Sequence, residues 1–83
     1  MNETLPEGWE VVDGALERTF RFDTFPAAVD FVNRVAALAE EENHHPDIEI
    51  HYRDVKLRFR THSKQAITEL DYALATRTGP LAS

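Results

Sequence analysis

Four side chains in this sequence have the types and spacing to move protons together: Glu40, the adjacent pair His44 and His45, and His62. A free imidazole titrates at about pH 6.5, so it both gives and takes a proton under neutral conditions. Glu40 and His44 stand four positions apart, which on a helix places them on one face. At a helix C-terminus the macrodipole favours a protonated imidazole, and Glu40 is expected to orient or charge-stabilise His44. His45 precedes Pro46, which disfavours helical geometry at His45 and stiffens the turn there. Adjacent histidines also suit a metal, because neutral imidazole is the commonest metal ligand. His62 has no second His or carboxylate at helical spacing, so no metal is expected. The remaining histidine, His51, falls on the outward side of a strand and reads as a surface residue.

Elements must bring these positions together. Trp9 to Val12 reads as a short strand, and Asp13-Gly14 is a hairpin signal because Gly takes φ > 0 without penalty. Ala15 to Phe22 reads as the partner strand. Thr24 is a good N-cap, and Pro26 is tolerated in a first helical turn. Ala28, Phe31, Val32, Val35, Leu38 and Ala39 recur at three- and four-residue steps, predicting a helix from Phe25 to about Glu42. Ile48, Ile50 and Tyr52 alternate with Glu49, His51 and Arg53, and Val55, Leu57 and Phe59 with Lys56, Arg58 and Arg60. These are two half-buried strands with a turn expected at Arg53-Asp54. Thr68 and Asp71 form a capping-box pair, flanked by Ile67 and Tyr72 at staple positions, so a last helix runs to about Thr78 and stops at Gly79-Pro80. Asp71 is thereby explained more simply as a cap than as a catalytic acid.

The order β-β-α-β-β-α predicts an α+β sandwich: an antiparallel four-stranded sheet with two helices packed on one face and a charged face toward water. A hairpin between the third and fourth strands returns His62 to the side where the third strand begins, next to His45. Topology alone can thus gather Glu40, His44, His45 and His62 at one sheet edge. Residues 1–8, with Pro6 and Gly8, are expected to form a loose arm.

Composition narrows the classes. The 83 residues make one domain, too short for a large cofactor cradle beside a catalytic domain. With no cysteine there are no disulfides, thiolate metal sites or cysteine nucleophiles. A net charge of −6 disfavours nucleic-acid and anionic-membrane partners, which need a basic footprint. The acidic N-terminus carries no apolar stretch, so no signal peptide is expected and a cytoplasmic location is. A thin, unstapled core favours self-association.

The residues also resemble a known family, the pterin-4a-carbinolamine dehydratases. That family's pattern is an acidic residue, three spacers, His-His-Pro, an aromatic, a further His and a downstream Asp. Here it is Glu40, His44-His45-Pro46, Tyr52, His62 and Asp71. The similarity extends over Gly8-Trp9 and from Phe22 through Asn33-Arg34-Val35. Between His62 and Thr68 the chain has Ser63-Lys64-Gln65-Ala66-Ile67, where many members are glycine-rich.

The resemblance implies dehydration of a 4a-hydroxytetrahydropterin to the quinonoid dihydropterin, without cofactor or metal. It implies His44 and His62 as the acid/base pair, His45 as a pterin holder and Trp9 as a pocket wall. Backbone groups around Asn43 and from Arg60 through Thr61 and His62 to Ser63 would bind the heterocycle. It further implies a homodimer or homotetramer and a functional link to phenylalanine hydroxylase or another aromatic amino-acid hydroxylase. The alternative on the same fold is a non-catalytic dimerisation, coactivator or assembly protein. Trp9, read from its size alone, is a core residue.

Overall fold

The computed structural model describes residues 5–82. The first two strands, β1 (Glu10–Val12) and β2 (Ala15–Arg21), join through Asp13-Gly14. Both turn residues have positive φ, 49° and 79°, the twist a two-residue hairpin needs to match its strands. Helix α1 (Phe25–Glu42) has the predicted bounds. Its first turn is held by the Ala27 N–H, which donates to Thr24 Oγ1 at 3.1 Å. Its buried side is Ala28, Phe31, Val35, Leu38 and Ala39, the apolar stripe of the sequence except Val32, which is half-buried. Burying a side chain such as Phe31 or Leu38 contributes about 1.5–3 kcal/mol.

Two further strands follow, β3 (Asp47–His51) and β4 (Asp54–Phe59), and then α2 (Glu69–Thr78). The four strands form one antiparallel sheet in the order β1-β2-β4-β3. Leu16, Phe20, Val55, Leu57 and Phe59 face the helices and pack with Trp9, Phe31, Val35 and Leu74 into the core. The opposite face carries the ion pairs Arg21–Asp54 (3.3 Å), Arg58–Glu17 (3.6 Å) and Lys56–Glu49 (3.9 Å). The α+β sandwich expected from the alternation is therefore the fold.

Several boundaries differ from the sequence reading. His51 pairs with Asp54, so the β3–β4 turn is Tyr52-Arg53, one residue earlier than expected. Tyr52 adopts φ 58° and is 69 % exposed, at the tip of the hairpin rather than within the strand. Gly79 does not stop α2 in a left-handed cap. It has φ −52°, and the chain tightens into a 3-10 turn over Gly79–Ala82. Arg77 ties this end to α1, donating to Glu42 Oε2 at 2.9 Å and Glu41 Oε1 at 3.3 Å. Of the N-terminal segment, residues 5–8 are described, and the backbone there is engaged. The Trp9 N–H donates to Pro6 O at 3.1 Å, and Arg18 donates to Glu7 O at 3.2 Å. Residues 1–4 of the expected arm lie outside the described residues. No helix of the described residues is long and apolar enough to cross a membrane.

Candidate active site

The end of α1 determines where the histidine pair goes. Asn43 leaves the helix in the left-handed region (φ 51°, ψ 43°). The Asn43 N–H then donates to Glu40 O at 3.3 Å and the His44 N–H to Ala39 O at 3.0 Å, a Schellman-type closure. Asn is among the few non-glycine residues that visit this region readily. His44 therefore lies beyond the helix, and the helical i, i+4 relation expected between Glu40 and His44 does not exist.

The two imidazoles diverge. His44 turns inward, stacks nearly parallel to the Phe59 ring (centroids 6.2 Å apart, 14° between planes) and is buried. Its Nε2 lies 2.6 Å from Asp71 Oδ1, and the Asp71 side chain is completely buried. His45 stays at the surface, where its Nε2 lies 2.5 Å from Glu40 Oε2. The partner of Glu40 is thus His45, not His44, because the left-handed residue rotates the chain by one side chain.

Asp71 is the centre of the buried part. Its Oδ2 accepts from the Thr61 hydroxyl at 2.8 Å and from the Thr68 N–H at 2.9 Å. The Thr61 and Thr68 hydroxyls are themselves 2.7 Å apart. The capping-box role is real and uses one oxygen, while the other is free for His44. A buried carboxylate is tolerated only when so surrounded by donors. The hydrogen-bonding role of Asp71 toward His44, and that of the Thr61 side chain, were missed by residue-level reasoning. The one signal for the first was Asp71's place as the last element of the family pattern.

His62 sits in a tight turn closed by the Thr61–Ala66 bridge, with the Lys64 N–H donating to Thr61 O at 3.1 Å. It is exposed. It lines a concavity of about 240 Å³ together with Ala15, Asp47, Arg58 and Arg60. Asp47 is the second residue after His45, and it pairs with Arg58 across β3 and β4. The end of β4 therefore returns beside the start of β3, as the topology required. Among the described residues no hydrogen bond joins His62 to His44 or His45. Its chain neighbour Thr61 bonds Asp71, which bonds His44, and none of Glu40, His44 and His45 lines the His62 concavity. Ser63 is exposed in the same turn. Trp9 is 5 % exposed and packs edge-on against Phe20 (6.2 Å) and tilted against Phe59 (5.8 Å). Trp9 also borders a separate concavity with Gly8, Arg18 and Gly79, and none of the histidines lines that one. His51 is exposed on the charged sheet face and lies 3.0 Å from Glu49 Oε1.

A family model described as pterin 4 alpha carbinolamine dehydratase matches residues 1–81. The chain belongs to this family. Among dehydratase-family relatives, a Herpetosiphon aurantiacus protein named "putative pterin-4-alpha-carbinolamine dehydratase" is 52 % identical over 82 % of this chain and 71 % of its own length. A Thermomicrobium roseum protein of the same name is 54 % identical over 92 % of this chain and 82 % of its own. Two solved structures have the same fold. The transcriptional coactivator/pterin dehydratase from Brucella melitensis has a TM-score of 0.89 at 35 % identity, covering 94 % of this chain and 85 % of that one. A pterin dehydratase-like protein identified as a RuBisCO assembly factor in the alpha-carboxysome has a TM-score of 0.74 at 25 % identity, covering 90 % and 87 %.

Proposed function

We propose that the protein is a hydro-lyase that removes water from a 4a-hydroxytetrahydropterin to give the quinonoid dihydropterin. The observation that carries this reading is the buried His44–Asp71 pair, 2.6 Å apart, in a chain of the dehydratase family. The reaction breaks the C4a–oxygen bond. The hydroxyl takes a proton and leaves as water, and a ring nitrogen gives up its proton. One acid and one base suffice, and neither a redox partner nor a metal enters the balance.

His44 and His62 are the acid/base pair in this reading. With His44 Nε2 committed to Asp71, Nδ1 is the nitrogen left to exchange a proton with substrate. Asp71 is a positioning residue that holds the ring and balances its charge when protonated. His45, steadied by Glu40, holds the pterin. Backbone groups of Asn43 and of Arg60 through Ser63 bind the heterocycle. The edge strands expose Val11 (52 %) and Ile50 (40 %), which supports a homodimer or homotetramer. Recycling the pterin of phenylalanine hydroxylase or a related hydroxylase, in the cytoplasm, is the biological setting.

The experiment is stopped-flow decay of a 4a-hydroxytetrahydropterin with and without the protein. Acceleration that disappears in the His44→Ala/His62→Ala double variant supports the assignment, and no acceleration by the wild type overturns it. A second reading, a non-catalytic assembly role, is favoured by one observation, the similarity to the RuBisCO assembly factor. A folded wild-type protein inert toward the hydroxypterin would favour it.

A further inference from the structure

The concavity beside His62 holds a charge the proton chemistry does not use. Two arginines, Arg58 and Arg60, line it with one carboxylate, Asp47, which makes no ion pair with either arginine among the described residues. The lining side chains set two guanidinium groups against one carboxylate, with Glu17 behind Arg58 as a second, on a chain whose net charge is −6. Arg58 is partly engaged: its Nη2 donates to Val12 O at 3.1 Å, and its Nε forms an ion pair with Glu17 Oε2 at 3.6 Å but no hydrogen bond. Arg60 has no hydrogen bond or ion pair among the described residues; its Nε is buried without an acceptor, as are those of Arg53 and Arg58, but unlike them its guanidinium has no other polar contact. A donor group without a partner forgoes the hydrogen bonds that offset its desolvation, so the Arg60 guanidinium gains from an acceptor brought to it. A guanidinium meets a carboxylate or a phosphate through two parallel N–H donors, the strongest neutral-pH recognition of an oxyanion. At about 240 Å³ the space is smaller than pockets that enclose drug-sized ligands, so it suits a single polar group rather than a whole substrate.

We propose that Arg60, backed by Arg58, forms an anion subsite, and that the pterin this protein takes carries an acidic group, a carboxylate or a phosphate, on its side chain. This rests on the pterin-site reading above and deepens it. Arg60 thereby acts as a specificity-determining side chain, in addition to the backbone contacts already assigned to its segment.

Equilibrium binding of stable oxidised pterins, followed by quenching of their fluorescence, tests this without any turnover. The probes are 6-methylpterin, pterin-6-carboxylate and neopterin monophosphate. Wild-type protein is expected to bind at least one acidic pterin about tenfold or more tightly than 6-methylpterin at low salt, and the advantage should shrink as salt is raised. Whichever acidic probe binds tighter identifies the group. In Arg60→Gln the ratio between acidic and neutral probes should fall toward one, and in Arg60→Lys part of it should return. Equal wild-type binding of all three probes, binding of none, or a ratio that survives in Arg60→Gln would overturn the proposal. Should Arg60→Gln fail to fold by thermal melt, the wild-type ratio and its salt dependence still decide. An acid preference without hydroxypterin turnover would sink the dehydratase reading and leave the subsite standing, and turnover without acid preference would do the reverse.

Discussion

Two imidazole–carboxylate pairs stand within a few residues of each other and differ in nearly everything except chemistry. His44–Asp71 has side chains 10 % and 0 % exposed, whereas His45–Glu40 has 54 % and 77 %. The separations are nearly equal, 2.6 and 2.5 Å. Burial therefore decides what each pair does. In the interior, Coulomb attraction is weakly screened, and each group depends on the other to offset its desolvation. At the surface, water and salt compete, so the pair is worth little in stability and its imidazole can turn toward a ligand. On the proposed reading, the buried pair supplies a fixed proton site and the exposed pair a contact with something that comes and goes. Asn43 ends the helix in the left-handed region, and the two consecutive histidines beyond it turn to opposite sides.

The largest effect that would break this contrast is expected from Asp71→Ala. It leaves His44 Nε2, the Thr61 hydroxyl and the Thr68 N–H without their shared acceptor. Removing one partner of a buried pair costs about 3–5 kcal/mol. For a domain of this size the total stability is roughly 4–12 kcal/mol, so the variant should melt more than about 10 °C lower. Asp71→Asn keeps the shape and can still serve Thr68. It should recover much of the melting temperature but little of the rate, which a purely structural cap would not do. Thermal melts together with single-turnover dehydration measure both, and an Asp71→Asn variant of wild-type rate would remove Asp71 from the mechanism.

How much of this was legible follows from which forces are local. Helix α1 was readable to the residue, because its apolar stripe, Thr24 and Pro26 all act within a turn of their own position. The Asp13-Gly14 hairpin was readable for the same reason. Tyr52 misled, since its alternation with Ile48 and Ile50 continues a strand pattern into a residue that takes φ 58° at the turn. A β-type side chain in the left-handed region is a choice made by the register of β3 on β4, not by local preference. The pairing of His44 with Asp71 spans 27 positions. No periodicity encodes it, and only the motif's final acid hinted at it. The Glu40–His44 expectation failed by a single backbone conformation, since Pro46 announces that the helix ends but not which residue takes the left-handed cap. Gly79 marked the end of α2 correctly, at Thr78, but the chain leaves through an αR residue into a 3-10 turn rather than through a left-handed cap.

A smaller effect, from Glu40→Gln, sharpens the exposed half of the contrast. Glutamine keeps an acceptor near His45 Nε2 and loses only the charge. Stability should stay within about 0.5 kcal/mol of wild type, as for most exposed pairs. The consequence should instead appear in substrate binding, as a rise in KM with kcat changed less than about threefold, because the interaction lost is made equally in ground and transition states. Steady-state kinetics decides. A loss in kcat as large as that of Asp71→Asn would show that the surface pair is part of the proton machinery, and the division between the two pairs would fall.

The smallest effect belongs to a third pair, His51–Glu49, which supplies the reference for exposure without function. Glu49 lies 3.0 Å from His51 Nε2 and 3.9 Å from Lys56 Nζ. The hydrogen bond from His51, with the nearby Lys56 charge second, holds its carboxyl below the ordinary value of about 4.5. A carboxylate depressed in the folded state contributes stability that is fully present above its unfolded pKa and lost as pH falls through the folded one. The difference in melting temperature between wild type and Glu49→Gln should therefore be small and positive at pH 6, and it should shrink on acidification through the carboxylate range. Added salt should diminish it at pH 6, because every partner is at the surface. Melting curves across that range measure it. A difference that grew toward low pH would reverse the sign of the linkage, and any loss of dehydration in the same variant would place His51 in the site, although it ends β3 at the hairpin, the opposite end of the strand from Asp47.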